Sequence, residues 1–208
     1  MTTLEAMAAA AVLAIALLTL LTRSAPTAWL FYACAAVPQA VLCVALGVTR
    51  GLPLLFVDAA AILTVKGLLA PAILRRGLRT TTFGNASHWS PTVLLLALSV
   101  ITLLSLGLGP LLAPHHPAAA AMAVDAMVVA FGSASVRPEL WSQATGMLIG
   151  EAAITTLILV LAAGLPPIAE IFALAEVVFL AVTLSAMGHL AMHAHRAVDA
   201  RDLRRLRG

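Results

Sequence analysis

Six ionisable side chains interrupt long apolar stretches of this 208-residue chain. Glu151 follows the residues GMLIG and is the only ionisable residue between Leu140 and Ala169. The other five are Asp58, Lys66, Asp125, Glu170 and Glu176. A carboxylate in apolar surroundings can exchange a proton near neutral pH, and a neighbouring lysine biases that exchange. These residue types predict proton or ion transfer, first at Glu151, Glu176, Lys66 and Asp125, with Glu170 and Asp58 as secondary candidates.

Small and polar residues accompany two of these acids. Gly146 and Gly150 form a GxxxG motif just before Glu151. This spacing is typical of close helix packing, and it could alternatively mark a local break or π-bulge that admits water. Downstream of Glu176, Ser185, His189 and His193 recur every four residues, on one helical face. The two histidines are secondary candidates for a proton relay, or they are interfacial residues without a role.

Cysteine and histidine spacing argues against a redox or metal centre. Cys34 and Cys43 lie nine residues apart in one apolar run, about 13 Å along a helix and too far for a disulfide. We find no CxxC pair and no Cys/His cluster with metal-ligand spacing. The HExxH spacing of metalloproteases is absent too. The sequence predicts no metal, no cofactor and no catalytic residue of its own.

The composition indicates which solvent surrounds these charges. Hydrophobic residues make up 62% of the chain and charged residues only 10%, whereas soluble domains contain about 25% charged residues. Residues 24–49 contain no charge at all, and apolar runs of that length are typical of membrane helices. The chain is therefore predicted to be an all-α integral membrane protein.

Turn-forming residues divide the chain into seven apolar segments. Gly, Pro, Ser and Asn cluster between them and break helices. We predict a single membrane domain, 1–208, with an N-terminal three-helix part, two connecting helices, two last helices and a basic tail (1–80, 92–136, 140–195 and 196–208). The first segment lacks a basic flank and should remain as a helix. The seven predicted spans are 4–22, 27–48, 53–74, 92–112, 118–136, 140–163 and 167–195.

Arginine placement predicts the orientation of the spans. With seven spans, ten arginines fall on one side, and only Arg50 falls on the other. The positive-inside rule then places the N-terminus outside and the C-terminus in the cytoplasm of a cell inner (plasma) membrane. The basic tail contacts lipid headgroups rather than nucleic acid. Loop 75–91, with Trp89, is an interfacial loop or a docking site for a cytoplasmic partner.

Counting residues along the spans gives the depth of each charge. At about 1.5 Å per residue, Glu151, Glu176 and Lys66 lie roughly 14–20 Å below the outer face of a core about 30 Å thick. Asp125 is about 10 Å down on the same scale, and the remaining acids are shallower. We predict a layer of alternating charge near the membrane midplane. The alternative is that these residues pair only to hold helices together.

Several segments resemble component E of the hydrogenase-4 and formate hydrogenlyase type of membrane complex. They are GMLIGEAAI, AAGLPPIAEIFALAEVVFLAVTL, DLRRLRG and DAAAILTVKGLLAPAILRR. Glu151, Glu170 and Glu176 match the family acids of the last two spans, and the third span matches at Lys66 and Pro71. The residue after Glu151 is Ala152 where the family usually has Asn, and Glu176 stands where Asp is common.

The resemblance implies an accessory role in a redox-driven proton or sodium pump. The last spans of that family are similar to the K subunit of respiratory complex I, whose glutamates form part of a proton-carrying axis. The implied partners are antiporter-like and electron-transfer membrane subunits. One alternative is a standalone secondary transporter or a subunit of a multisubunit Na⁺/H⁺ antiporter. Another is a membrane enzyme that uses Glu151 and the histidines.

Overall fold

Seven helices form the described part of this computed structural model, which comprises residues 2–22, 24–77, 91–136, 140–162 and 167–195. We name them α1 to α7 in chain order. α3 is continuous and consists of α-helical Leu54–Ile62, π-helical Leu63–Leu69 and α-helical Ala70–Gly77. The others are α1 (Thr2–Leu21), α2 (Ala25–Arg50), α4 (Pro91–Leu112), α5 (Pro117–Val136), α6 (Leu140–Ala162) and α7 (Pro167–His195).

The helices are those of a multi-pass membrane protein by length and composition. Within the described ranges, six are long and apolar enough to cross a membrane, and α4 contributes a shorter apolar stretch, Ser99–Leu112. No residue in those ranges is assigned to a strand. The all-helical prediction is confirmed, and six to seven of the described helices are apolar enough to span a membrane. The seven-span topology and the orientation of the termini stay predictions.

Local sequence signals explain both ends of α2. Ser24 caps its N-terminus by accepting a hydrogen bond from the Thr27 N–H at 3.4 Å, and a proline occupies the first turn. At the other end Gly51 adopts the left-handed conformation (φ 67°) and donates its N–H to the Gly47 carbonyl. Glycine is favoured at this position because it has no Cβ to clash. The chain can therefore turn directly from α2 into α3.

The middle of α3 is a π-helix, in which N–H groups bond to carbonyls five residues back. The Ala70 N–H, for example, bonds to the Val65 carbonyl. Pro71 follows immediately, and a proline ring clashes with the carbonyl four residues before it, here that of Gly67. The wider turn relieves this clash. The sequence motif GLLAP thus explains why Lys66 lies in a π-helical segment.

α5 and α6 are the most buried of the described spans, whereas the part of α7 from Ala173 to Leu190 is largely exposed. α5 packs against α1, α4 and α6, and α2 packs against α1, α3 and α6. A Cβ at Gly146 would lie 2.8 Å from the Ala130 carbonyl oxygen, and one at Gly150 would lie 2.7 Å from the Phe131 ring. The GxxxG motif therefore permits α5–α6 contact. The alternative of a local break beside Glu151 is wrong, because α6 is α-helical throughout.

Candidate ion-transfer site

Lys66 of α3 and Glu151 of α6 form an ion pair inside the bundle. The Lys66 Nζ atom lies 2.9 Å from Glu151 Oε1, and the two side chains are 2% and 17% exposed. The residues are 85 positions apart, so only the tertiary fold brings them together. The structure thus places opposite charges at one level of the bundle, as depth counting predicted for these two residues.

Thr155 and Gln39 complete the coordination of the lysine. The ammonium donates to Thr155 Oγ1 at 3.0 Å and to Gln39 Oε1 at 3.4 Å, so its three protons each have an acceptor. Thr155 in turn donates to Glu151 Oε1 at 2.8 Å. Gln39 is held in place by hydrogen bonds from its amide to the Ala152 carbonyl and to Thr156 Oγ1. We call Gln39, Lys66, Glu151 and Thr155 the polar cluster.

Burial makes the ion pair a poor stabiliser of the fold. Removing two charges from water costs several kcal/mol per ion, and replacing buried pairs with apolar residues is often neutral or stabilising. Loss of one partner is different, since it leaves an uncompensated charge and costs about 3–5 kcal/mol. The presence of the pair is therefore weak evidence that it stabilises the fold, although losing either partner would be costly.

One side of the polar cluster contains unsatisfied groups. Glu151 Oε2 and the Tyr32 hydroxyl are both buried and have no hydrogen-bond partner in the described part of the chain. Tyr32 of α2 is fully buried and interacts electrostatically with the Glu151 carboxylate. Lys66 and Thr155 thus both donate hydrogen bonds to the same carboxylate oxygen, Glu151 Oε1. The other oxygen, Oε2, has no hydrogen bond in the described part of the chain.

Asp125, predicted as part of the same layer, belongs to a separate site. Its carboxylate accepts a hydrogen bond from the Ser105 hydroxyl of α4, and both residues are buried. Asp125 also lines a groove of about 400 Å³ between α1, α4 and α5, together with Thr102 and mainly apolar side chains. The structure does not bring Asp125 to Lys66.

The remaining predicted residues whose side chains the structure describes are Asp58, Glu176 and His189. Asp58 is half-buried and lines a small cavity together with Lys66. Glu176 is exposed on α7 and has no hydrogen bond or ion pair to any side chain that the structure describes. His189 is exposed as well. The side chains of Glu170 and His193 lie outside the described residues. The predicted relay of Ser185, His189 and His193 is therefore described only in part.

Sequence reasoning missed several polar partners. Gln39 and Thr155 are uncharged and gave no signal beyond the adjacent Pro38 and the nearby Glu151. Glu5, inside the first predicted span, is 1% exposed, and its Oε2 atom lies 2.5 Å from Nδ1 of His116 in the α4–α5 turn. Two features of the sequence could have indicated this contact. They are an acid in the first turn of an apolar helix and the His115–His116 pair.

Comparison of the chain with protein-family models, with curated proteins and with solved structures gives no match. Within the described ranges, no group of three His, Cys, Asp or Glu side chains is placed to hold a metal ion. The arrangement of the polar cluster suits the movement of a proton or small cation.

Proposed function

We propose that this chain is a non-catalytic membrane subunit of a multisubunit, redox-driven complex that translocates protons or sodium across the cell inner membrane. Its own contribution is the Lys66–Glu151 pair. The single observation that supports this most is a fully coordinated lysine facing a half-satisfied carboxylate inside an apolar bundle. Charges inside membrane helices are expensive and usually belong to ion pathways or proton relays.

The π-helical segment supports a functional rather than a purely structural pair. π-helical turns are rare and are found frequently at functional sites. In α3 the π-helix extends over seven residues and contains Lys66 near its centre. The wide turn sets the direction in which the lysine leaves the helix.

The uncovered face of α7 supports membership of a larger assembly. Glu176 is exposed there beside Phe179, which is 72% exposed, and farther along the face lie Met187 and Leu190. A carboxylate facing lipid at this depth would cost roughly 2.5–3.5 kcal/mol. A neighbouring subunit that places a basic side chain or a hydrogen-bond donor against Glu176 would lower that cost. The redox-driven nature of the complex rests on the family resemblance alone.

A standalone transporter is the second candidate, and the groove beside Asp125 favours it. A groove of about 400 Å³ with one buried carboxylate has the size and polarity of a small-molecule site. Purification from native membranes separates the two candidates. A subunit should copurify in stoichiometric amounts with larger membrane proteins, whereas a transporter should purify alone and remain active.

Substitution of Glu151 tests the role of the pair in the assembled complex. Glu151→Gln keeps the shape and hydrogen-bonding capacity of the side chain but cannot carry a proton. We expect it to lower coupled ion translocation while leaving assembly intact, and Glu151→Asp should retain part of the activity. Normal translocation by the assembled Glu151→Gln complex would contradict the proposal.

A further inference from the structure

A small cavity lies against the polar cluster. Its volume is about 30 Å³, and its lining includes Asp58, Lys66, Thr155 and Cys43. A cavity of about 10–15 Å³ is enough for one water molecule, provided that polar partners are available. Asp58, Lys66 and Thr155 are the charged and hydroxyl-bearing residues of this lining, and the rest of it is apolar apart from Cys43. The cavity thus has the volume for water between Asp58 and the buried ion pair.

Asp58 connects this cavity to the surface of the bundle. It precedes Lys66 by eight residues in α3 and so lies roughly 12 Å nearer the Leu54 end of the helix. Asp58 is half-buried, whereas Lys66 is only 1% exposed. One cavity thus borders both a partly exposed carboxylate and the buried Lys66, which is paired with Glu151.

The opposite side of the pair is closed by aromatic packing. Tyr32 precedes Gln39 by seven residues in α2 and lies roughly 10 Å toward the N-terminal end of that helix. Tyr32 is 0% exposed and Trp29 is 5% exposed. Their polar atoms have no hydrogen-bond partner in the part of the chain that is described. Two buried aromatic side chains of α2 thus fill the apolar core on this side of the ion pair.

We propose that Glu151 exchanges its proton with one side of the membrane only, the side at which α3 begins, through water in this cavity, and that Asp58 is the outer proton-exchanging group. This inference rests on the proposed function of the Lys66–Glu151 pair. It adds the route and its sidedness. The predicted orientation makes this the outer side of the membrane.

The proton balance of the step involves four groups. The protonated Asp58 carboxyl donates its proton to the cavity water, which donates one of its own to Thr155 Oγ1. The Thr155 hydroxyl proton passes along its existing 2.8 Å hydrogen bond to Glu151. Asp58 ends as a carboxylate and Glu151 as a carboxylic acid, while the water and the threonine are unchanged.

Cys43 provides a built-in probe of the cavity. The chain contains two cysteines, so Cys43 is the one that remains in a Cys34→Ser variant. Silver ions would be added to either side of oriented vesicles that contain the full chain, and unblocked thiol would be counted with a maleimide after denaturation. We expect blocking from the side of the Leu54 end only. Blocking from the other side, from both sides equally or from neither would overturn the one-sided route.

Asp58 is tested by the rate at which Glu151 gains a proton. After an acid jump, the carboxylic C=O infrared band that Glu151→Gln removes should appear roughly 100-fold more slowly in Asp58→Asn, the scale of a lost acid–base group. Asp58→Glu should restore the rate. Thr64→Val is the matched control, since Thr64 is exposed on the same helix and bonds only to the Ala60 carbonyl.

The two proposals fail in different ways. An unchanged rate in Asp58→Asn would exclude Asp58 as the proton-exchanging group and leave the role of Glu151 intact. A wild-type chain in which Glu151 never changes protonation would instead contradict the proposed function itself.

Discussion

Lys66 lies in the π-helical segment that ends two residues before Pro71. The two residues are related by cause, because the proline ring disfavours the regular α-helical turn that precedes it. The wider turn rotates the residues upstream of Pro71 relative to those downstream. Pro71 therefore helps to direct the Lys66 side chain toward Gln39, Glu151 and Thr155. It does so through the backbone and not through a hydrogen bond to any of these side chains.

Replacement of the proline should separate stability from function. Pro71→Ala should allow a regular α-helix and thus leave unfolding stability unchanged or raise it, since proline in a helix interior costs about 3 kcal/mol. The change in register should weaken the Lys66–Glu151 contact and lower ion translocation. Thermal unfolding in detergent and vesicle transport would be measured on the same preparations. Full transport in a regular α-helix would show that the π-helix is dispensable.

The ion pair should show strong coupling in a double-mutant cycle. Lys66→Met alone leaves Glu151 without its counter-charge, and removal of one partner of a buried pair costs about 3–5 kcal/mol. Lys66→Met with Glu151→Leu removes both charges and should unfold near the wild-type midpoint. Unfolding of the four chains in one detergent gives the coupling free energy. Additive losses would indicate that the two charges do not interact.

The seven segments could be predicted from the sequence because Gly and Pro mark their ends and a membrane helix has a narrow range of lengths. Depth was predictable for the same reason, and Lys66 and Glu151 do lie at one level. The direction of each side chain around its helix was not predictable. Glu176 illustrates this, because it was predicted at about the depth of Glu151 but is exposed on α7. Gln39 was missed because its role depends on contacts from two other helices.

Close packing of α5 and α6 should depend on Gly146. A methyl group there would lie 2.8 Å from the Ala130 carbonyl oxygen, and backbone cannot move aside as a flexible side chain can. Gly146→Ala should therefore destabilise the chain by roughly 1–3 kcal/mol, the usual cost of overpacking. Gly132→Ala on α5 is the matched control, because its Cβ would have nothing within 4 Å. Equal unfolding midpoints for the two variants would contradict the packing role of the motif.

The predicted orientation can be tested with two fusions. The excess of arginines on one side predicts that a reporter fused after Gly208 is cytoplasmic. A reporter inserted at His115, an exposed residue in the turn between α4 and α5, should be external. Alkaline phosphatase and green fluorescent protein, which report opposite compartments, would be used at both positions. The same compartment at both sites would rule out the seven-span topology.

The exposed carboxylate of α7 gives the sharpest test of complex membership. If another subunit covers Glu176, that subunit should neutralise the charge with a basic side chain or a hydrogen-bond donor, because a lone buried charge is strongly unfavourable. Glu176→Lys should then place like charges together and release the chain from its copurifying partners, whereas Glu176→Gln should weaken the association less. Leu190→Ala, on the same exposed face and 68% exposed, is the control for a general loss of apolar contact. Size-exclusion chromatography of native-membrane extracts would measure the fraction of chain in the large species. Identical elution of wild-type and Glu176→Lys chains would show that Glu176 faces lipid, and the argument from α7 for a larger assembly would then fail.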